Sequence, residues 1–589
     1  MPIRLELQKQ SSMMIWLNFI FFVLSSRMQI LLRFFVILTA LAWLVPNHYR
    51  PWAAAWNDGL AATGLLLMLL SVAVSATINC GLSWRLAGVV ALCWIVLLAQ
   101  LVTGKLLFVG DALMAALYIG LWLAAVMAGG LMVAETNRSD GINLLTGAWH
   151  FAALLSVGIA LVQWTGTLNL NIYAADLPPG ARPFGNVAQP NNLNTLCFIG
   201  LCGLLWLQQR CRVSGVPFWL GASFLLLGMV MTQSRTGWLQ IGLLLIWGFA
   251  MHTRANLRIS RAQLLLLGTV YAAGVLLWPA VCDALLLSPG RALSEQVQPG
   301  MRLPYWRSML DAIGREPLWG YGWKQVGAAQ QRVALDHPNF GVLFENGHNL
   351  VLDLLLWNGL PIGGLIIAAL AWWFIAHIRA CHDARVVWLL AAVGGVFTHS
   401  MLEFPLEYAY FLIPVGLAMG AIDGLSPAAG ALLRLPRWVV LLFTALLSAV
   451  FVATAIEYLK AEENYRTLRM EAAHIGTDRI VTPAPGLRLL TQLETFLQFA
   501  RTEATPGMTP EQVDWMRKVS ERYGFSWVLF RYALAAGLNN QPVVASETLA
   551  RICHIYVPQR CIEAREGWAT LQLRYPQLAD MALPKDIKN

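Results

Sequence analysis

The sequence predicts an all-α polytopic membrane bundle that carries a polar helical tail, on three observations. Of 589 residues, 58% are hydrophobic and only 12% charged, against about 25% charged in a soluble domain. The apolar residues come in repeated blocks of about 17–25 residues, the length that crosses about 30 Å of hydrocarbon. After residue 457 the composition changes to that of a soluble helical domain. Backbone groups in lipid must be satisfied within the segment, so the blocks are expected to be helices. They lack the alternation of a membrane barrel strand.

Thirteen such blocks are expected near 28–46, 59–78, 84–103, 111–134, 144–163, 191–208, 216–232, 236–251, 262–282, 349–377, 385–401, 409–424 and 438–457. The fold class is therefore a bundle of about 12–13 transmembrane helices. Only a few residues around Thr232 to Arg235 separate the seventh and eighth blocks, which forces a tight hairpin. Three regions follow: an N-terminal segment 1–27, a membrane domain 28–457 with a long polar excursion at about 283–348, and a tail 458–589. Met13 to Leu24 is short for a span and leads into Arg27 rather than a cleavage site, so an interfacial helix is expected there. Met28 is an alternative start.

Loop charge orients the bundle. With the N-terminus in the cytoplasm, the loops on that side carry Arg85, Arg138, Arg210 and Arg212, Arg254, Arg258 and Arg261, Arg379 and Arg385, and Arg434 and Arg437. Basic residues at span ends stay inside, which also accounts for much of the net charge of +9. No basic run interleaved with aromatics suggests nucleic acid. The 164–190 loop, the excursion and the tail then lie outside. In the tail, Leu489, Leu490, Leu493, Phe496 and Leu497 recur at helical spacing. Thr509-Pro510-Glu511-Gln512 reads as a capped helix start, and Gly537 to Pro542 divides two further helices. A stacked-helix domain, loosely tetratricopeptide-like, is expected. The nine cysteines show no metal-ligand spacing. Cys553 and Cys561 can pair if the tail lies outside the cytoplasm.

The residues suited to chemistry collect on the outer face. Arg182-Pro183-Phe184-Gly185-Asn186 leads into Gln189-Pro190-Asn191-Asn192 at the mouth of a span. This reads either as a helix cap with snorkelling polar groups or as a substrate-positioning loop. Arg235, in Ser234-Arg235-Thr236-Gly237, either anchors to lipid headgroups or binds phosphate, whose oxygens match the guanidinium fork. Arg302 and Arg307 open the organised part of the excursion, and Pro317 to Trp323 makes an aromatic–glycine turn. Such rings are membrane-belt residues or sugar-stacking surfaces. His348 lies where the chain re-enters the membrane. A lone histidine is more often structural, but Glu345 can orient its ring if a helix begins there. Asp353, further along, is an ionisable group inside a span. Imidazole as a class suits proton transfer near neutral pH. Tyr408 and Tyr410, in Glu403-Phe404-Pro405-Leu406-Glu407-Tyr408-Ala409-Tyr410, either bond phosphate or sugar or serve as belt residues.

These motifs, taken in order with Gly347-His348-Asn349-Leu350 and Asn358-Gly359-Leu360-Pro361, resemble the bacterial O-oligosaccharyltransferases of the PglL type, relatives of O-antigen ligases and Wzy-type polymerases. The likeness covers most of the membrane region, and the tail resembles that family's extra C-terminal domain. It implies a GT-C-type inner-membrane glycosyltransferase facing the periplasm, with a periplasmic tail. It implies a glycan donor on undecaprenyl pyrophosphate and a Ser or Thr acceptor on an exported, pilin-like protein. His348 matches the family's essential histidine, and Arg235 and Arg302 its pyrophosphate-binding arginines. Gln189 and one of Tyr408 and Tyr410 match residues implicated in function. Arg182 and Asn192 are further candidates for the donor site, with Glu345, Asn349 and Glu403 supporting. No cofactor or metal is expected, since arginines can neutralise the pyrophosphate and no carboxylate cluster for Mg²⁺ is visible. Transfer to a lipid A core, polymerisation of repeat units, and transport of a lipid-linked sugar are the alternatives. The last lacks the paired repeats common in transporters.

Overall fold

A computed structural model describes residues 30–75, 79–135, 138–288, 300–475, 482–579 and 581. The N-terminal segment 1–27 and the Met28 start lie outside the described residues. Most of the described chain is helical, as an all-α polytopic membrane protein. The first nine helices are α1 (Ile30–Leu44), α2 (Ala55–Ser75), α3 (Trp84–Val102), α4 (Val109–Glu135), α5 (Arg138–Thr165), α6 (Pro190–Gln209), α7 (Val216–Met231), α8 (Arg235–Met251) and α9 (Arg261–Ala284). The excursion holds α10 (Arg302–Arg315) and α11 (Val326–Val333). Then come α12 (Leu350–Ala380), α13 (Ala384–Ser400), α14 (Ala409–Leu425) and α15 (Arg437–Ala472). The tail is α16 (Thr491–Arg501), α17 (Pro510–Tyr523), α18 (Ser526–Leu538), α19 (Pro542–Ile555) and α20 (Pro558–Arg574).

In its described residues, each of the thirteen apolar blocks falls on a helix. Among the described residues, seven helices are long and apolar enough to cross a membrane: α2, α3, α4, α5, α9, α12 and α15. The rest are shorter or more polar. Helices α4 and α14 form the tightest pair. A Cβ at Gly129 would stand 2.1 Å from the Leu417 carbonyl oxygen, and one at Gly420 would stand 1.9 Å from that of Val126. Small residues let two backbones approach this closely, which replaces the hydrophobic drive that lipid cannot supply.

The loops sort to two ends. At one end the link before α3 pairs with the link before α15 as a two-stranded antiparallel sheet, β1 (Cys80–Ser83) with β2 (Leu432–Leu435), in the register Gly81 to Arg434. Arg85 donates to the Ala428 carbonyl there (3.2 Å). The basic loops 209–212, 254–258 and 379–385 are tied together by Gln209 with Arg258 (2.7 Å) and by Arg254 with the Arg379 carbonyl. The other end gathers the 182–192 loop, the α7–α8 hairpin, the excursion, the 401–408 loop and the tail.

One buried carboxylate sets that second end. Asp58 accepts from the backbone N–H groups of Ala409 (2.6 Å) and Tyr410 (3.4 Å) and from the Tyr118 hydroxyl (2.6 Å). It satisfies donors that the first turn of α14 leaves open, so α2, α4 and α14 fix where the 401–408 loop emerges. Helix α12 is broken at Gly359, whose φ of +73° suits glycine, just before Pro361. The aromatic–glycine turn of the excursion fills the break. Leu360 donates to the Pro317 carbonyl (2.7 Å), and Tyr321 donates to that of Leu356 (2.7 Å). Backbone groups freed at membrane depth are thus re-satisfied by protein.

The sequence boundary at 457/458 falls inside a continuous helix. At 36 residues and about 1.5 Å per residue, α15 runs well past the bilayer and becomes the stem of the tail. Its Tyr458 and Ala461 pack with Leu487, Leu490 and Leu497. Thr509 and Gln512 form the expected capping box, with Pro510 in the first turn. Cys553 and Cys561 form a disulfide, with Cα atoms 4.5 Å apart. The tail is latched down by Arg522, whose guanidinium meets both Asp111 carboxylate oxygens at 3.0 Å, and by Gln331, which donates to the Ser520 and Glu521 carbonyls. Breaking a buried pair from one side leaves an uncompensated charge and costs about 3–5 kcal/mol. Arg522→Ala is therefore expected to free the tail, seen as faster proteolytic cleavage after α15 while the membrane portion stays intact.

Candidate active site

Glu403 is the hub. Its side chain is 8% exposed and takes the His348 ring, through Nδ1, on Oε2 at 2.8 Å. Arg302 forms an ion pair with Oε1. Asn191 donates to Oε1 at 3.2 Å and Gln189 to Oε2 at 3.5 Å. Burial pushes this carboxyl up, but the hydrogen bond and charge of His348 and the charge of Arg302 outweigh it, and hold Glu403 down at about 2. Three other stretches of chain thus meet on one carboxylate.

Local structure aims the histidine. His348 sits in left-handed backbone, φ +51°, an uncommon state for a residue other than glycine and typical of functional positions. The turn is pinned on both sides. Asp353 accepts from the Gly347 N–H at 2.6 Å, while Tyr305 and Trp306 donate to the carbonyls of Asn346 and Gly347 at 3.0 Å each. Asn349 caps α12 by accepting from Val351 and Leu352, and its amide donates to the Met401 carbonyl (3.1 Å). The imidazole stands between Phe344 and Phe404, with ring centroids 5.2 Å away on each side. With Nδ1–H given to the carboxylate, Nε2 is left as the basic nitrogen, the usual effect of an acid partner on a histidine tautomer.

The other sequence-derived candidates divide. Ser234 donates to Asn191 Oδ1 (2.8 Å), which ties the start of α8, where Arg235 is the first residue, to the loop that bonds Glu403. Arg182 ties the 182–192 loop to the α7–α8 hairpin by donating to the Thr232 carbonyl (2.9 Å). Asn192 is buried behind the site and donates to the Val187 carbonyl (3.3 Å). Tyr410 is buried too, stacked at 5.1 Å on Tyr408, which reaches a cavity wall. Glu345 does not orient the ring. The helix begins at Leu350 rather than at Glu345, which leaves Glu345 exposed, and the acid on the imidazole is Glu403, 55 residues away.

Sequence reasoning passed over Lys324 and Glu407 as a pair. Their ion pair (2.9 Å) joins the excursion to the 401–408 loop, and Asn346, with its amide turned to donate, reaches both Glu407 oxygens at 2.7 and 2.8 Å. Lys324 sits in no motif, and Glu407 lies unremarked within the Glu403–Tyr410 motif. The signal for Glu407 was its repeat of the Glu403 acid one turn later.

Two cavities adjoin the cluster. One, about 180 Å³, is apolar and lies among α3, α4, α12 and α14, lined by Val90, Ile119, Leu354 and Val415 and ending at Glu403 and Phe404. The second, about 390 Å³, lies between this end of the bundle and the tail. They share Tyr118, Lys324, Phe404 and Glu407 as a common wall. A half-buried base, cations and an apolar slot in one place can hold an amphiphilic anion and take a proton from a second reactant.

Comparison with known proteins agrees with this reading. Residues 220–368 match a family profile described as O-Antigen ligase. Residues 387–564 match the C-terminal profile of a virulence factor membrane-bound polymerase. A general O-oligosaccharyltransferase of Acinetobacter baylyi is 28% identical over 552 residues, covering 90% of this chain and 92% of that protein. A ComP-specific O-oligosaccharyltransferase of the same organism is 25% identical over 392 residues, covering 65% and 69%. Helical membrane architecture, motif order and these matches together make the chain a multi-pass membrane glycosyltransferase similar to the bacterial O-oligosaccharyltransferases.

Proposed function

We propose that the chain moves a glycan en bloc from undecaprenyl pyrophosphate to Ser or Thr hydroxyls of exported proteins such as pilins, at the periplasmic face of the bacterial inner membrane. The observation that carries this reading is the junction itself: His348 and Arg302 share Glu403 at the end of an apolar slot between membrane helices. The slot suits an isoprenoid chain, and Arg302 with Arg235 suits its pyrophosphate. His348 Nε2 takes the acceptor hydroxyl proton. The oxygen bonds to the anomeric carbon while the bond from that carbon to the pyrophosphate oxygen breaks. Undecaprenyl pyrophosphate leaves with the electron pair, and the configuration inverts. Arginines placed where charge develops stabilise the leaving group. The periplasmic orientation is supported by the basic loops at the opposite end and by the Cys553–Cys561 disulfide, since such bonds persist in oxidising compartments.

Deleting the chain is expected to leave a pilin-like acceptor unglycosylated with lipopolysaccharide of normal length. Truncated lipopolysaccharide with the acceptor still modified would instead assign ligation to lipid A core, a reading compatible with the ligase profile. Charge neutralisation by arginine makes the reaction independent of divalent metal. Transfer by the purified protein is expected to persist in EDTA, and loss restored by Mg²⁺ or Mn²⁺ would contradict this.

A further inference from the structure

We infer that the larger cavity holds the first sugars of the lipid-linked glycan, and that the C-terminal domain builds half of this sugar site. The inference rests on the proposed transfer reaction and adds a substrate role for the tail. The cavity of about 390 Å³ has two kinds of wall. Trp52, Phe404 and Tyr408 come from the membrane end; Tyr465, Tyr523 and Phe525 come from the stem and tail. Between the rings stand Arg50, Glu345, Asn346 and Glu407. Flat aromatic faces opposed to carboxylates, amides and cations match a pyranose, which offers C–H faces for stacking and hydroxyls for paired hydrogen bonds. Volume and lining fit an organic ligand held by a few directed polar groups.

Position makes the assignment specific. Phe404 and Glu407 face both cavities. A donor with its lipid in the apolar slot and its pyrophosphate at Arg302 passes its reducing-end sugar over Phe404 into the second cavity. A cavity of about 390 Å³ and mixed charge is too small for an extended acceptor peptide, which needs a long groove or a free strand edge. Tail docking keeps the far wall in place: Arg522, itself lining the cavity, is held by Asp111, and Arg50 lies 5.8 Å over the Phe525 ring.

The test uses the full-length protein in detergent. KM is measured for the lipid-linked glycan and for an acceptor protein in wild type, Phe525→Ala, Phe525→Tyr and Tyr465→Ala. Phe525→Ala and Tyr465→Ala are expected to raise the donor KM about tenfold, about 1.4 kcal/mol of lost binding, with the acceptor KM within about twofold; Phe525→Tyr should restore wild-type behaviour. If Phe525→Ala fails to fold, Tyr465→Ala alone carries the comparison. A raised acceptor KM with an unchanged donor KM overturns the inference in favour of an acceptor site, and no change in either overturns it outright. Binding of the free oligosaccharide, released from the donor by mild acid, is followed in parallel by saturation-transfer NMR. Binding by wild type and its loss in both alanine variants is expected; binding that survives both overturns the sugar site. Wild type that binds the free glycan without transferring it would defeat the proposed reaction and leave the sugar site standing.

Discussion

His348→Ala is expected to lower transfer by about 10²–10⁴-fold, the usual contribution of a positioned proton acceptor, with membrane abundance unchanged. The turn is held by backbone contacts that this substitution leaves in place: Asp353 to the Gly347 N–H, and Tyr305 and Trp306 to adjacent carbonyls. Donor binding should survive, because Arg302 and the apolar slot remain. The loss should therefore fall on kcat and spare the donor KM. An equal loss carried wholly by donor KM would make His348 a binding residue and not a base.

Glu403→Gln is the second large effect. Glutamine keeps the shape but removes the charge on which His348 and Arg302 both rest. Neutralising the acid partner of a catalytic histidine leaves geometry largely intact and costs up to about 10⁴-fold. At least about 10²-fold is expected here, since one carboxylate oxygen becomes an amide donor and either Gln189 or Asn191 also loses its acceptor. The pH dependence of stability gives an independent readout. Glu403 is depressed from 4.5 to about 2. Its ionised contacts stabilise the fold fully above about pH 4.5, and that contribution is lost as pH falls toward about 2. The melting-temperature gap between wild type and Glu403→Gln should be widest above pH about 5 and narrow below about 4. A gap constant across that window would mean that the carboxylate is not held by these cations.

Much of the fold was legible because its signal is long. Twenty apolar residues in succession have few alternatives to a helix in lipid, and the described residues of all thirteen blocks fall on one. The end of α15 was not legible. A change in composition marks where the bilayer stops, and a helix can run straight through it. Among the site residues, His348, Arg302, Gln189 and Asn349 stood out in motifs at re-entry points, and the structure brings all four to the 401–408 loop. Glu403 stood out only as a supporting residue of its motif, not as the acid that holds the ring. Sequence proximity favoured Glu345, but Asn349 caps α12 one residue after His348, so the helix that would have aligned Glu345 never starts there. Lys324 and Arg522 left no trace, because a single charged residue gains its role only from the fold that pairs it with Glu407 or Asp111. Asn192 and Tyr410 were legible as polar residues of motifs, yet their neighbours took the positions facing the cluster.

The most direct test is reconstitution from purified parts: the full chain in liposomes with undecaprenyl-pyrophosphate-linked glycan and one acceptor protein, read by mass spectrometry. The account predicts intact glycan on a Ser or Thr of the acceptor, an equal amount of freed lipid pyrophosphate, and neither product with His348→Ala. Lipid pyrophosphate left fully charged by wild type, or His348→Ala working at the wild-type rate, would contradict it.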